Sequence, residues 1–154
     1  MPFYEPSSFE PDRSIGYLVR LINQAGSARL EPAIAPAGIS YVQWQVLVSI
    51  FYDRGLTCAA LARDLVHDKG AMTRLVDGLE QRGLVRRERN ADDRRVVDLL
   101  LTDTGLELAL RGKDRVIDCW NGWLDGWHPE EVETLIGQLQ RLRRTIEAAP
   151  ERCA

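Results

Sequence analysis

Cysteine and histidine are scarce in this chain of 154 residues, which holds three of the first and two of the second. Cys58, Cys119 and Cys153 lie far apart and form no C-x-x-C pair, which argues against both a disulfide framework and a cysteine zinc cluster. His67 and His128 stand singly at expected helix starts, where capping or a phosphate contact suits them better than metal ligation. No run approaches the roughly 20 apolar residues that a membrane span needs. The opening MPFYEPSSFEP is rich in proline and acid, where a secretory signal would be basic and then apolar. A cytoplasmic protein with no membrane partner is expected. Signatures of catalysis are missing too: there is no G-x-x-x-x-G-K-[ST], no G-x-G-x-x-G, no G-x-S-x-G and no H-E-x-x-H. No catalytic residue, metal or cofactor is expected.

What is present is an ordinary globular composition, 45% hydrophobic and 28% charged, at a length suited to one domain or a small compact unit. The net charge of −3 is unevenly spread: residues 54–95 carry 10 Lys or Arg against 7 acids, a local +3, and leave −6 for the other 112 residues. Screening confines charge interactions to about 10 Å, so a polyanion senses the local excess rather than the total.

The pattern reads as a series of helices interrupted by one hairpin. Residues 1–13 form a tail. Ser14 caps a helix through Pro32 with an apolar stripe of Ile15, Leu18, Val19, Ile22 and Leu30, and Pro32 and Pro36 end it. Ser40 and Gln43 make an S-x-x-Q capping box for a helix that buries Val42, Val46, Leu47, Ile50 and Phe51 and stops near Gly55. Thr57 caps a short helix whose Ala59, Ala60 and Ala62 permit close packing against the next one. That next helix, DKGAMTRLVDGLEQRG, is capped by Asp68. It spaces Met72, Leu75, Val76 and Leu79 on one face and leaves Lys69, Gly70, Thr73, Arg74 and Asp77 on the other. Two apolar runs, Leu84-Val85 and Val96 to Leu101, then flank the polar tip Asn90 to Arg95, the signature of a hairpin with an electropositive loop. A long helix opened by Thr102 or Thr104 carries Leu106, Leu110, Ile117, Trp120, Leu124 and Trp127 on one seam, broken only by Lys113. Pro129 starts a last helix with Glu130 and Glu131 in its first turn and a second stripe of Val132, Leu135, Leu139, Leu142 and Ile146.

A helix with a polar face followed at once by a basic hairpin is the element order of a winged helix-turn-helix, and duplex DNA is the partner it fits. The residues Thr73 to Arg87, then Asp93-Arg94-Arg95 through Leu101-Thr102, match in order and spacing the TRLVDxLExxGLVxR and D-x-R-xxxxx-LT runs of the MarR-type transcriptional regulators. The chain resembles that family. The implied fold is mainly α, a winged helix-turn-helix over residues 39–102 with a small β-hairpin wing. Residues 14–38 and 103–149 would supply N- and C-terminal dimerisation helices, and 150–154 a tail.

The resemblance also implies a mechanism, a homodimer on a pseudo-palindromic operator. Lys69, Gly70, Thr73 and Arg74 would enter the major groove, and Arg94 and Arg95 at the wing tip would reach the minor groove or its phosphates. Asp93 would orient Arg95 or the loop. Arg86, Arg87 and Arg89 are open between phosphate contact and strand-face ion pairing. A small aromatic effector, anionic or phenolic, would loosen DNA binding from a pocket at Gln24, Tyr41, Trp44, Val116 and Trp120, with Arg95 near its mouth. Leu21 and Gln24 stand where several relatives have basic residues, which opens the pocket to neutral phenols or lipophilic drugs. Relatives that sense oxidants hold a reactive cysteine near the first helix, whereas residues 1–57 here contain none, so thiol oxidation is not the expected switch. The alternative is an architectural or partner-binding winged helix with no small-molecule switch.

Overall fold

The first helix, α1 (Ile15–Ile34), starts where the Ser14 hydroxyl accepts the Tyr17 N–H. The structure, a computed structural model, describes residues 3–6, 9–53, 56–65 and 68–150. His67, Gly55 and Cys153 lie outside the described residues. The chain divides into two units, Met1–Ile117 and Asp118–Ala154.

In the first unit α1 runs through Pro32 rather than ending there. A proline in the last turn forfeits a single backbone hydrogen bond, while continuing the helix buries Ile34 completely. A 3-10 turn at Ala35–Ala37 follows. The expected capping box opens α2 (Tyr41–Tyr52): the Gln43 N–H donates to Ser40 Oγ at 3.2 Å and the Ser40 N–H to Gln43 Oε1 at 3.0 Å. α2 buries Trp44, Val46, Leu47 and Ile50, whereas Phe51 stays partly exposed.

Thr57 caps α3 (Cys58–Asp64), which packs on α4 (Lys69–Gln81) through Ala62 and Ala60; the third alanine, Ala59, faces solvent. On α4, Met72, Val76 and Leu79 are fully buried and Leu75 partly so. The helix ends at Gly83, whose φ of 67° suits a residue without Cβ and lets the Leu84 N–H reach back to the Leu79 carbonyl at 3.0 Å. Strands β1 (Val85–Arg89) and β2 (Val97–Leu101) pair antiparallel, Val85 opposite Leu101 and Arg89 opposite Val97. The Leu99 N–H, on the far side of β2, donates to the Leu56 carbonyl at 2.9 Å and ties the hairpin to the start of α3.

The long helix α5 (Asp103–Trp123) begins in the first unit and ends in the second. Thr102 is its cap, accepting the Gly105 N–H at 3.0 Å. The residues it buries are small: Gly105, Ala109 and Gly112. A Cβ on Gly105 would lie 1.9 Å from the Leu84 carbonyl oxygen, and one on Gly112 would lie 2.3 Å from the Trp44 indole. The apolar seam expected for packing or for a subunit interface lies on the outer face, with Leu110 38% and Ile117 43% exposed. Likewise Ile15, Leu18, Val19 and Ile22 of α1 are exposed, and only Leu30 and Ile34 of that helix are buried.

In the second unit α5 stops at Trp123, so Leu124 and Trp127 fall in the following turn, where Gly126 has φ 88°. Trp120 meets Trp123 edge to face at 5.0 Å. α6 (Pro129–Glu147) is capped by Glu131, whose carboxylate accepts the His128 N–H at 2.8 Å. None of its residues is buried, although Leu135, Ile136, Leu139 and Ile146 are large and apolar.

Candidate nucleic-acid interface

The start of α4 is organised by Asp68. Its carboxylate accepts the Ala71 N–H at 3.0 Å. That bond, aided by the Gly70 N–H and the Arg74 charge, holds the carboxyl below the usual carboxylate range. A depressed carboxyl contributes stability above its unfolded value and loses it as pH falls through the folded one, so the cap weakens only in strong acid. Lys69, Gly70, Thr73 and Arg74 are exposed along the outer face. The Thr73 hydroxyl donates to the Lys69 carbonyl at 2.8 Å, which spends its proton on the helix and leaves a methyl and oxygen lone pairs facing out. At Gly70 the open backbone lies next to the positive end of the helix dipole.

The wing tip is pinned by side chains shorter than its arginines. Asn90 Oδ1 accepts the N–H groups of Asp92 and Asp93 at 2.9 and 3.1 Å, and Asn90 Nδ2 donates to Asp98 Oδ2 at 2.7 Å. Asp93 Oδ1 accepts the Arg95 N–H at 2.9 Å, so the acid orients the loop backbone. Asn90 and Asp98 were not singled out from sequence, although asparagine at a tip is a signal for this kind of turn.

Arg87 is committed inside the chain. Its fork spans α4, one nitrogen on Asp77 at 2.6 Å and the other on Glu80, while its own N–H donates to Glu80 Oε1 at 3.2 Å. Burial works against the charge, but the Asp77 hydrogen bond and the Glu80 charge outweigh it and push the pKa up. Arg86 pairs with Glu88, and Arg63 with Asp64. Lys69, Arg74, Arg94 and Arg95 have no ion pair among the described residues. Among the described cations of this segment, Arg63, Arg86 and Arg87 are paired with carboxylates, Arg82 donates to the Gly38 carbonyl at 2.9 Å, and Lys69, Arg74, Arg89, Arg94 and Arg95 are exposed on α4 and the hairpin without an ion pair. A groove of about 640 Å³ brings the two sets of outward residues together, with Thr73 of α4 and Arg95 of the wing on its walls beside Cys58 and Arg87.

Arg87→Ala should loosen this joint. Because both carboxylates are more than a third exposed, a discounted loss of about 1–2 kcal/mol is expected, or about 2–8 °C in Tm. Arg87→Lys restores the charge without the fork and should recover part of it. Thermal unfolding of both variants checks this, and an unchanged Tm in Arg87→Ala would show that the clamp adds nothing to stability.

Of the five residues expected to meet an effector, Tyr41, Trp44 and Val116 pack on one core. Tyr41 is half-buried and lies nearly parallel to Trp44, with ring centres 5.5 Å apart. Burial raises the Tyr41 phenol pKa against a hydrogen bond with Gln45, so it stays protonated at neutral pH. Trp44 belongs to the core, its Nε1 donating to the Ala109 carbonyl at 3.1 Å. Val116 packs half-buried on that core, and Gln24 is exposed, accepting from Arg20 at 3.3 Å. Trp120 lies in the second unit. Of the five, Tyr41 lines a groove of about 500 Å³ between α1, α2 and the end of α3.

Residues 39–97, from just before the cap of α2 to the first residue of β2, match the MarR family. The HTH-type transcriptional regulator TtmR of Methylorubrum extorquens is 32% identical over 110 residues, 71% of this chain and 55% of that protein. The multiple antibiotic resistance protein MarR of Escherichia coli is 35% identical over 95 residues, 62% of this chain and 66% of that protein. The chain therefore spans between half and two thirds of these relatives' length. The crystal structure of apo wild-type MarR from E. coli superposes with a TM-score of 0.73 at 30% identity, covering 84% of this chain and 96% of that one. CouR from Rhodococcus jostii RHA1, solved with p-coumaroyl-CoA bound, gives 0.77 at 25% identity, covering 93% and 98%. At this identity and coverage, the chain belongs to the MarR family.

Proposed function

We propose that this chain is a dimeric, sequence-specific transcriptional regulator, acting as a repressor that a small aromatic or phenolic ligand releases from its operator. The observation that carries the DNA half is the division of cations: Lys69, Arg74, Arg94 and Arg95 face out without ion pairs among the described residues, on the two elements that a winged helix lays against a duplex. Lys69, Thr73 and Arg74, with the close backbone approach at Gly70, read the major groove. Arg94 and Arg95 neutralise phosphates or enter the minor groove. The names of the matched relatives, regulators rather than enzymes, agree with this reading. Dimerisation is supported by the apolar residues left exposed on α1, α5 and α6, each contributing roughly 1.5–3 kcal/mol if fully buried. The ligand half is supported by the aromatic groove at Tyr41 and by the aromatic thioester that CouR holds.

Arg95→Ala tests the interface. Binding to the upstream intergenic duplex, titrated against salt, should weaken for all sequences, and the log-log slope should fall in magnitude by about one. Thr73 or Arg74 substitutions should instead shift base preference, at about 1–3 kcal/mol for each base no longer read. An unchanged slope in Arg95→Ala would remove the wing from the interface. Equal affinity for every duplex in the intact protein would favour an architectural role.

A further inference from the structure

The groove between α1, α2 and the end of α3 carries the opposite electrostatic character from the face that meets DNA. One wall is a polar ladder of Asn23, Ser27 and Glu31, spaced four apart and so aligned on one side of α1. Facing it are Tyr41 and Gln45 of α2, and Asp64 lies at the end of α3. Among the described residues that line it, two are carboxylates and none is basic. We propose that this groove is the effector site and that it selects a planar aromatic ligand bearing an amine or other cationic group, over a carboxylate or phenolate. The proposal rests on the ligand-released regulator described above and specifies its ligand class.

The cavity is built before any ligand arrives. The Tyr41 ring is backed by Trp44, which is itself held by the Ala109 carbonyl and by contact with Gly112, so the aromatic wall has little freedom to lose on binding. A ring face held in this way attracts a cation and stacks with a planar body. Glu31 Oε2 accepts the Tyr41 N–H at 2.8 Å, which fixes the carboxylate at the wall, and its other oxygen has no hydrogen-bond partner among the described residues. Asp64 shares one oxygen with Arg63 at 3.2 Å, an exposed pair that water screens. A volume of about 500 Å³ accommodates a two-ring ligand. An anion placed there would meet two like charges.

Three probes on one naphthyl ring vary the charge of a short side group: naphthylmethylammonium, naphthylmethanol and naphthylacetate. Titrated calorimetrically into the full-length protein, the ammonium should bind about tenfold or more tightly than the acetate. In Glu31→Gln with Asp64→Asn, which keeps an acceptor for the Tyr41 N–H, that preference should shrink to about twofold or less. Release of a bound operator duplex by the ammonium completes the expected result. Tighter binding of naphthylacetate, or a preference unchanged in the double variant, overturns the assignment of ligand class. Selective ammonium binding that leaves operator affinity unchanged overturns the regulatory reading while the site's selectivity stands.

Discussion

Gly105→Ala is expected to disrupt the junction between the wing and α5 and to cost at least the upper end of the roughly 1–3 kcal/mol typical of overpacking. The added Cβ meets the Leu84 carbonyl oxygen at 1.9 Å and its carbon at 2.8 Å, and backbone cannot rotate out of the way as a side-chain tip can. Relief requires α5 to lift from β1. Lifting it breaks the hydrogen bond from the Thr102 hydroxyl to the Gly83 carbonyl at 2.6 Å and the one from the Thr102 N–H to the Leu84 carbonyl at 3.2 Å. For a chain of this length, about 3 kcal/mol corresponds to a fall in Tm of roughly 6–12 °C. Thermal denaturation followed by circular dichroism checks it. Gly122→Ala, where a Cβ meets nothing within 4 Å, is the control and should leave Tm unchanged or slightly raised. Equal melting of the two variants would show that the close approach at Leu84 is not rigid.

Removing residues 129–154 is expected to yield a monomer and to lower operator affinity by about a thousandfold or more, the gap between specific and non-specific binding. The deletion takes away Leu135, Ile136, Leu139 and Ile146, whose exposure in the single chain is what a second copy would cover. A monomer engages one half-site at a time and loses the gain from linking two. Sedimentation and gel shift on one preparation measure both effects. Leu135→Glu with Leu139→Glu repeats the test without shortening the chain. A truncated protein that remains dimeric, or an intact protein that is monomeric at micromolar concentration, would move the interface away from α6.

The helix-turn-helix was readable because its signals are local. Ser40 with Gln43 and Asp68 with Ala71 are contacts across three residues, and the spacing of Met72, Val76 and Leu79 states which side of α4 is inside. The inner face of α5 was not readable in that way. Hydrophobic periodicity weighs bulk, so it selected Leu106, Leu110, Ile117 and Trp120, whereas the core accepts this helix through Gly105, Ala109 and Gly112, chosen for absence of bulk. The resemblance assigned Trp44 to a pocket, and nothing in the sequence records that its indole nitrogen is satisfied by a carbonyl 65 residues away. Arg87 was ambiguous for a related reason. Its partners, Asp77 and Glu80, lie on another element, and only the packing of α4 against β1 decides between a phosphate and a carboxylate.

The Thr102 hydroxyl donates to the carbonyl of Gly83, just before the hairpin, and accepts from the N–H of Gly105, the third residue of α5, so one oxygen joins the foot of the wing to the root of the long helix. Hairpin and helix therefore behave as the two arms of a bell crank. From Val85 to the tip the hairpin extends about six residues, or about 20 Å at strand rise. A rotation of α5 by about 10° then carries Arg94 and Arg95 through about 3 Å, comparable to the full length of a hydrogen bond to phosphate. On the proposed function, whatever reorients α5 by that small angle would engage or withdraw the wing, with no rearrangement inside α3 and α4 themselves.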